Sequence, residues 1–288
     1  MTNHEILLEV ENLNVTFPSA HGDVNAVRNI SFTMGHEKVA IVGESGSGKS
    51  QTGRALLGLS PGHVSADKMM FDGVDLQGLS PRAYREIRGK RISMVMQDPK
   101  YSLNPVMTIG KQMLEACHIQ MKVSKKEALT RCIDMLNAVR IRNPERVFKA
   151  YPHEVSGGMG QRIMIAMMLL SSPDLLIADE PTSALDVTVQ LQVLAIMDDL
   201  VKERGMGLIL ISHDLPLVAS FCDRILVMYA GRIVEDIAAD KLEQAQHPYT
   251  QGLLSCLPRN AIKGKPLATL QREDNWLTNS LNQQGDLV

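Results

Sequence analysis

Lys38-Val-Ala-Ile-Val42 runs directly into Gly43-Glu44-Ser45-Gly46-Ser47-Gly48-Lys49-Ser50-Gln51. The first five residues read as a buried strand, and Gln51 to Leu57 as the opening of a helix. Between them, glycine at 43 and 48 followed by lysine and serine matches the phosphate-loop pattern in full, in the strand–loop–helix context it requires. The glycines let backbone N–H groups converge on phosphate oxygens, and the helix N-terminus adds the positive end of its dipole. Lys49 is placed to reach the β- and γ-phosphates of a nucleotide, and Ser50 to ligate Mg²⁺. A glycine-rich turn without a ligand would have no use for that lysine and serine.

Four further stretches carry chemistry. Leu175 to Ala178 reads as a buried strand tipped by Asp179 and Glu180. Asp179 is a candidate Mg²⁺ ligand through water, and Glu180 a candidate base for the attacking water. Ser156-Gly157-Gly158 precedes the helical run Met159 to Leu170. A serine cap followed by glycines leaves N–H groups pointing out of a helix start, which is either a plain capped helix or an anion site. Gln97 follows the strand Ile92 to Met96, and a neutral amide there can touch Mg²⁺ or water. His213 follows the strand Leu208 to Ile211, where an imidazole could bond a γ-phosphate or the attacking water.

Organisation and composition fit that reading. The chain has 288 residues, 44% apolar and 22% charged, with a formal net charge of −2. That charge gives no electrostatic case for nucleic acid. The four cysteines are scattered with no CxxC pair, which argues against a zinc site or a disulfide framework and suits a reducing cytosol. The first residues lack a basic start and a long apolar stretch, and runs such as Ile163 to Leu170 are too short to span a bilayer. Leu8, Val10, Leu13, Val15 and Phe17 alternate as a strand does, Ile30 to Met34 suggests another, and Phe71-Asp-Gly-Val74 and Ala230-Gly231 read as hairpins. Ile109 to Arg146 turns helical. Strand–helix alternation then resumes, with Val187 to Arg204 as a helix. The expected fold is α/β: a phosphate-loop core with a mostly parallel sheet, an antiparallel β subdomain and an inserted α-helical subdomain at about 99–158. The ATPase domain is expected over 1–245, with a C-terminal extension over 246–288 whose tail, from Gln271, is polar and mobile.

In this order, the motifs resemble the ATP-binding cassette family: phosphate loop, Gln97, Ser156, Asp179-Glu180, Ser183-Ala-Leu-Asp186, His213. The match runs from about Leu7 to Arg259. The segments GESGSGKSQT, MQDPKYSLNP, YPHEVSGGMGQRIMIAMMLL, IADEPTSALDVTVQ and HPYTQGLL are similar to ATPase subunits of dipeptide, oligopeptide and nickel importers. The resemblance implies ATP and Mg²⁺ as cofactors, ATP hydrolysis coupled to transport, and two such domains paired head to tail. Each ATP would sit between the phosphate loop of one and Ser156, Gly157 and Gly158 of the other. It implies that Asp186 helps couple the two sites, and that Phe17 stacks on adenine; a core residue at a strand end is the other reading of Phe17.

It further implies partners: a second ATPase subunit, a paralogue in a heterodimer, two membrane permease subunits, and indirectly a solute-binding protein. The chain would then work at the cytoplasmic face of the cell membrane. Gly160 stands where the family usually has arginine or glutamine, and glycine there weakens a helix by about 1 kcal/mol. No cysteine cluster marks the C-terminal tail, so no iron–sulfur cluster is expected. The rival readings are a soluble cassette ATPase not coupled to transport, a non-catalytic nucleotide-binding regulator and a metabolite kinase. Soluble relatives usually carry two cassettes or a long coiled-coil insert; Lys49, Glu180 and His213 disfavour a regulator, and a kinase would lack the Ser156 motif.

Overall fold

The computed structural model describes residues 6–20, 22–96, 102–183, 185–257 and Trp276. Gln97 and, apart from Trp276, the tail from Gln271 lie outside the described residues, and so do the expectations placed on them. The chain forms two compact units, Met1–Leu79 with Ile209–Val288, and Ser80–Leu208.

The first unit holds an antiparallel sheet made of β1 (Leu8–Phe17), β2 (Val24–Met34), β4 (His63–Ser65), β5 (Lys68–Phe71) and β6 (Val74–Asp75). Its order is β2-β1-β5-β6, with β4 also on β1. Leu8, Val10, Leu13 and Val15 are fully buried. Their alternation skips a beat between Val10 and Leu13. The register against β2 shifts there, and Asn12 takes a left-handed backbone (φ 51°), its N–H donating to Ser31 Oγ at 2.9 Å. An extra residue at a bulge lets both halves of β1 keep their apolar side chains on one face. Asp72 and Gly73, both at positive φ, make the tight β5–β6 turn that the sequence predicts.

The same unit contains β3 (Lys38–Val42), β9 (Gly207–Ser212), β10 (Arg224–Tyr229) and β11 (Arg232–Ala238), in the order β11-β10-β3-β9. β10 runs parallel to β3, pairing Val227 with Val42, and antiparallel to β11 through the Ala230-Gly231 turn. Val39 to Val42 and Ile225 to Met228 are buried without alternation, as strands covered on both faces are. α1 (Lys49–Leu56) follows the loop after β3, α8 (Leu215–Phe221) follows β9, and α9 (Pro248–Ser255) follows β11. The C-terminal extension expected from 246 thus opens with a helix, whose Tyr249 is fully buried.

The second unit contains the parallel pair β7 (Ile92–Val95) and β8 (Leu175–Asp179). Its helices are α2 (Pro81–Ile87), α3 (Ile109–Gln120), α4 (Lys125–Ala138), α5 (Pro144–Lys149), α6 (Gly157–Leu169) and α7 (Val187–Arg204). Five of these start where the sequence supplies a cap. Ser80, Thr108, Ser124, Ser156 and Asp186 each accept a backbone N–H three residues on. At the other end of α7, Gly205 takes a left-handed cap, and Arg204 donates to Leu169 O at 2.7 Å, tying α7 to the end of α6. No helix among the described residues is long and apolar enough to cross a membrane.

Candidate functional site

The phosphate loop is built by close backbone approach. A Cβ on Gly43 would lie 2.1 Å from Met228 O, and one on Gly48 2.2 Å from Ala26 O. Any side chain at either position would force β10 or β2 away from the loop. Ser47 N–H donates to Glu44 O at 3.2 Å and closes the turn. Gly231 N–H donates to Ser47 O at 3.1 Å, and Glu44 N–H to Tyr249 Oη at 3.1 Å, so the loop is held from behind at both feet. Between those feet Ser45 and Gly46 are exposed, and the space around Gly46 is open.

Three features of this loop fit a bound phosphate. α1 starts at Gly48 with no side-chain cap and no acidic residue in its first turn, so no side chain caps its first N–H groups. Ser47 Oγ is buried without a hydrogen-bond partner. Lys49 is 5% exposed, and its Nζ donates to Gly43 O and Glu44 O, each at 2.8 Å. Its ammonium is thereby parked over the loop within reach of an incoming anion. Ser50 and Gln51 are half-buried, and Gln51 Oε1 accepts from Ser60 Oγ at 3.1 Å.

His213 lies just beyond β9. It is exposed and lines a cavity of about 240 Å³ with Val42, Gly43, Glu44, Leu253 of α9 and Cys256 just beyond that helix. The fold therefore brings His213 to the start of the phosphate loop, as the strand-end argument predicts. Phe17 ends β1 half-buried, with a Cβ on Gly62 only 3.1 Å from its Cζ. Its ring lies against the backbone there.

In the second unit, Asp179 ends β8 at 4% exposure. Glu180 follows with φ 46°, a left-handed backbone that costs a glutamate energy. Its carbonyl accepts from Ser183 N at 3.3 Å and Ser183 Oγ at 3.2 Å, fixing the turn towards Asp186. Asp186 caps α7, accepting Val189 N–H at 3.0 Å. Ser156 caps α6, accepting Met159 N–H at 3.3 Å. A Cβ on Gly158 would meet Val189 Cγ1 at 2.6 Å, whereas one on Gly157 would meet nothing within 4 Å. Packing of α6 on α7 thus accounts for Gly158. It does not account for Gly157, which is exposed at the helix start.

Sequence reasoning misses two features. Beside Ser156, a cavity of about 520 Å³ is lined by Arg140, Arg142, Met159, Arg162 and the α7 residues Gln192 and Ile196. Arg162 donates to Gly158 O at 3.2 Å and Arg140 O at 3.0 Å, and burial, reinforced by the nearby Arg142 charge, lowers its pKa. Three arginines spread over 23 residues leave no compact signal in one dimension. The second missed feature is the tie between Tyr249 and Glu44; its only local trace is the aromatic in HPYT.

A family model described as "ABC transporter" matches residues 27–183. The chain belongs to the ABC transporter family. Among curated proteins, this ABC ATPase is 47% identical over 269 residues to the oligopeptide transport ATP-binding protein OppD of Salmonella typhimurium. That match covers 92% of this chain and 80% of the relative. It is 46% identical to the dipeptide transport ATP-binding protein DppD of Bacillus subtilis, over 92% of this chain and 81% of that one. Among solved structures, the cassette resembles the dimeric structure of MJ0796, a bacterial ABC transporter cassette. There the TM-score is 0.73 and the identity 25%, covering 81% of this chain and 98% of that one. It also resembles cbiO1 from Clostridium perfringens, with TM-score 0.71 and 26% identity over 88% and 97% of the two chains. The expected α/β phosphate-loop fold and cassette family both hold, and the ABC ATPase is an ATP-binding protein.

Proposed function

We propose that this ABC ATPase is the ATP-hydrolysing subunit of an importer for peptides or a related small solute, nickel among them. One observation carries the reading: the phosphate loop opens onto an uncapped helix start, with Lys49 poised over it and Ser47 Oγ left without a partner. The likeness to OppD and DppD over 92% of the chain supports the transport setting.

The roles follow from chemistry. Loop N–H groups lying between Glu44 and Gln51 and the Lys49 ammonium bind the β- and γ-phosphates of ATP. Phe17 stacks on adenine. Ser50, Asp179 and Gln97 would hold Mg²⁺ with the hard oxygen donors it prefers, and the ion would supply charge neutralisation at the phosphates. Glu180 accepts the proton of the attacking water as its oxygen bonds to the γ-phosphorus and the bond to ADP breaks. His213 holds the γ-phosphate or that water. Ser156, Gly157 and Gly158 serve the ATP of a second, paralogous subunit, and Asp186 couples the two sites. Closure around ATP shifts two permease subunits between states at the cytoplasmic face of the membrane, fed by a solute-binding protein.

Co-purification of the tagged chain from membranes tests the reading. Integral permease subunits should come with it. A wholly soluble, partnerless ATPase would favour the alternative, a cassette not coupled to transport.

A further inference from the structure

We propose that Tyr249 is a positioning residue for ATP, through which helix α9 sets the phosphate loop's affinity for nucleotide. This rests on the reading that the loop binds ATP. Tyr249 has no exposed surface, and its hydroxyl accepts the N–H of Glu44 at 3.1 Å across 205 residues of chain. Its ring is clasped by Tyr229, with centroids 4.5 Å apart, and by Trp276 at 5.4 Å.

The tyrosine is fixed from its own side as well. Gln246 and His247 N–H groups both donate to Glu235 Oε1, at 2.6 and 3.3 Å. His247 Nδ1 accepts Tyr249 N–H at 3.2 Å, and its Nε2 lies 3.2 Å from Trp276 O. With Nδ1 accepting, Nε2 carries the proton and donates it. Burial pulls the His247 pKa down, which favours that neutral ring. Tyr229, in the same aromatic cluster, ends the strand whose turn residue Gly231 donates to Ser47 O. One cluster thus grips the loop at Glu44 and, through the turn, at Ser47. The exposed residues between those points, Ser45 and Gly46, are among those whose N–H groups converge on phosphate. A loop pinned at both ends has less freedom to lose when ATP binds.

The test uses the full-length chain, with Tyr249→Phe and Lys49→Ala beside wild type. Equilibrium binding of a fluorescent, non-hydrolysable ATP analogue is read with KM, kcat and the melting temperature. Tyr249→Phe keeps the ring stack and removes the acceptor. Analogue affinity should fall and KM rise by roughly fivefold or more, with kcat within about twofold and melting little changed. Wild-type affinity and KM in Tyr249→Phe would overturn the proposal. So would a fall in melting temperature that lowers kcat and leaves KM and analogue affinity unchanged, which marks a merely structural tyrosine. If wild type binds no analogue, or Lys49→Ala binds as well as wild type, the ATP reading of the loop itself fails, and that outcome is distinct from either of the others.

Discussion

Lys49 Nζ donates to Gly43 O across its own loop, at 2.8 Å. The lysine that the motif reserves for phosphate is therefore also a brace for the loop itself, since it holds Glu44 O at the same distance. Lys49→Ala should have two separable effects. ATP binding should be lost. Stability without nucleotide should fall by about 1–3 kcal/mol, because two carbonyls lose a charged donor. Urea unfolding with and without ATP checks both, and wild-type stability in the variant would remove the bracing role.

Glu180→Gln should keep ATP binding while lowering turnover by roughly 100-fold or more, since the amide preserves shape but cannot take a proton. It should also hold two subunits together in ATP. Phosphate release and size-exclusion chromatography read the two effects, and normal turnover would clear Glu180 of the role.

Gly157 and Gly158 should respond differently to the same change. Gly158→Ala puts a methyl 2.6 Å from Val189 Cγ1 and must push α6 off α7, costing roughly 1–3 kcal/mol. Gly157→Ala enters open space and should stay within about 1 kcal/mol of wild type. If Gly157→Ala nevertheless lowers ATPase activity of the assembled pair, the loss points to the subunit interface rather than to folding.

The cysteines should label in order of burial. Burial pushes the Cys132 and Cys222 thiols up to about 12, and raises Cys117 as well. At pH 8 a thiol of pKa 12 is about one part in ten thousand thiolate, the reactive form. Iodoacetamide should therefore modify Cys256, which is half-buried, well before the other three, and all four only after unfolding. Mass spectrometry of the labelled peptides checks the order.

Legibility followed the range of the interactions. The strand-end carboxylates, the serine cap of α6 and both hairpin turns were readable, because each is decided within a few adjacent residues. The break in β1 at Asn12 was not, because the extra residue is explained by Ser31 on another strand. Ser156-Gly157-Gly158 stood between. Its cap is local, but the crowding of Gly158 comes from Val189 on a different helix.

The contiguous run from Lys38 to Gln51 by itself determined that this chain folds a phosphate loop, since strand, glycines, lysine and serine act on one ligand from one stretch of backbone. What holds that loop was decided only by tertiary structure. Met228, Ala26 and Tyr249 reach it from three separate parts of the chain, and Tyr249 does so from 205 residues away. A hydrogen bond over that separation leaves no periodicity or spacing to read, because its two ends share nothing until the chain has buried its core.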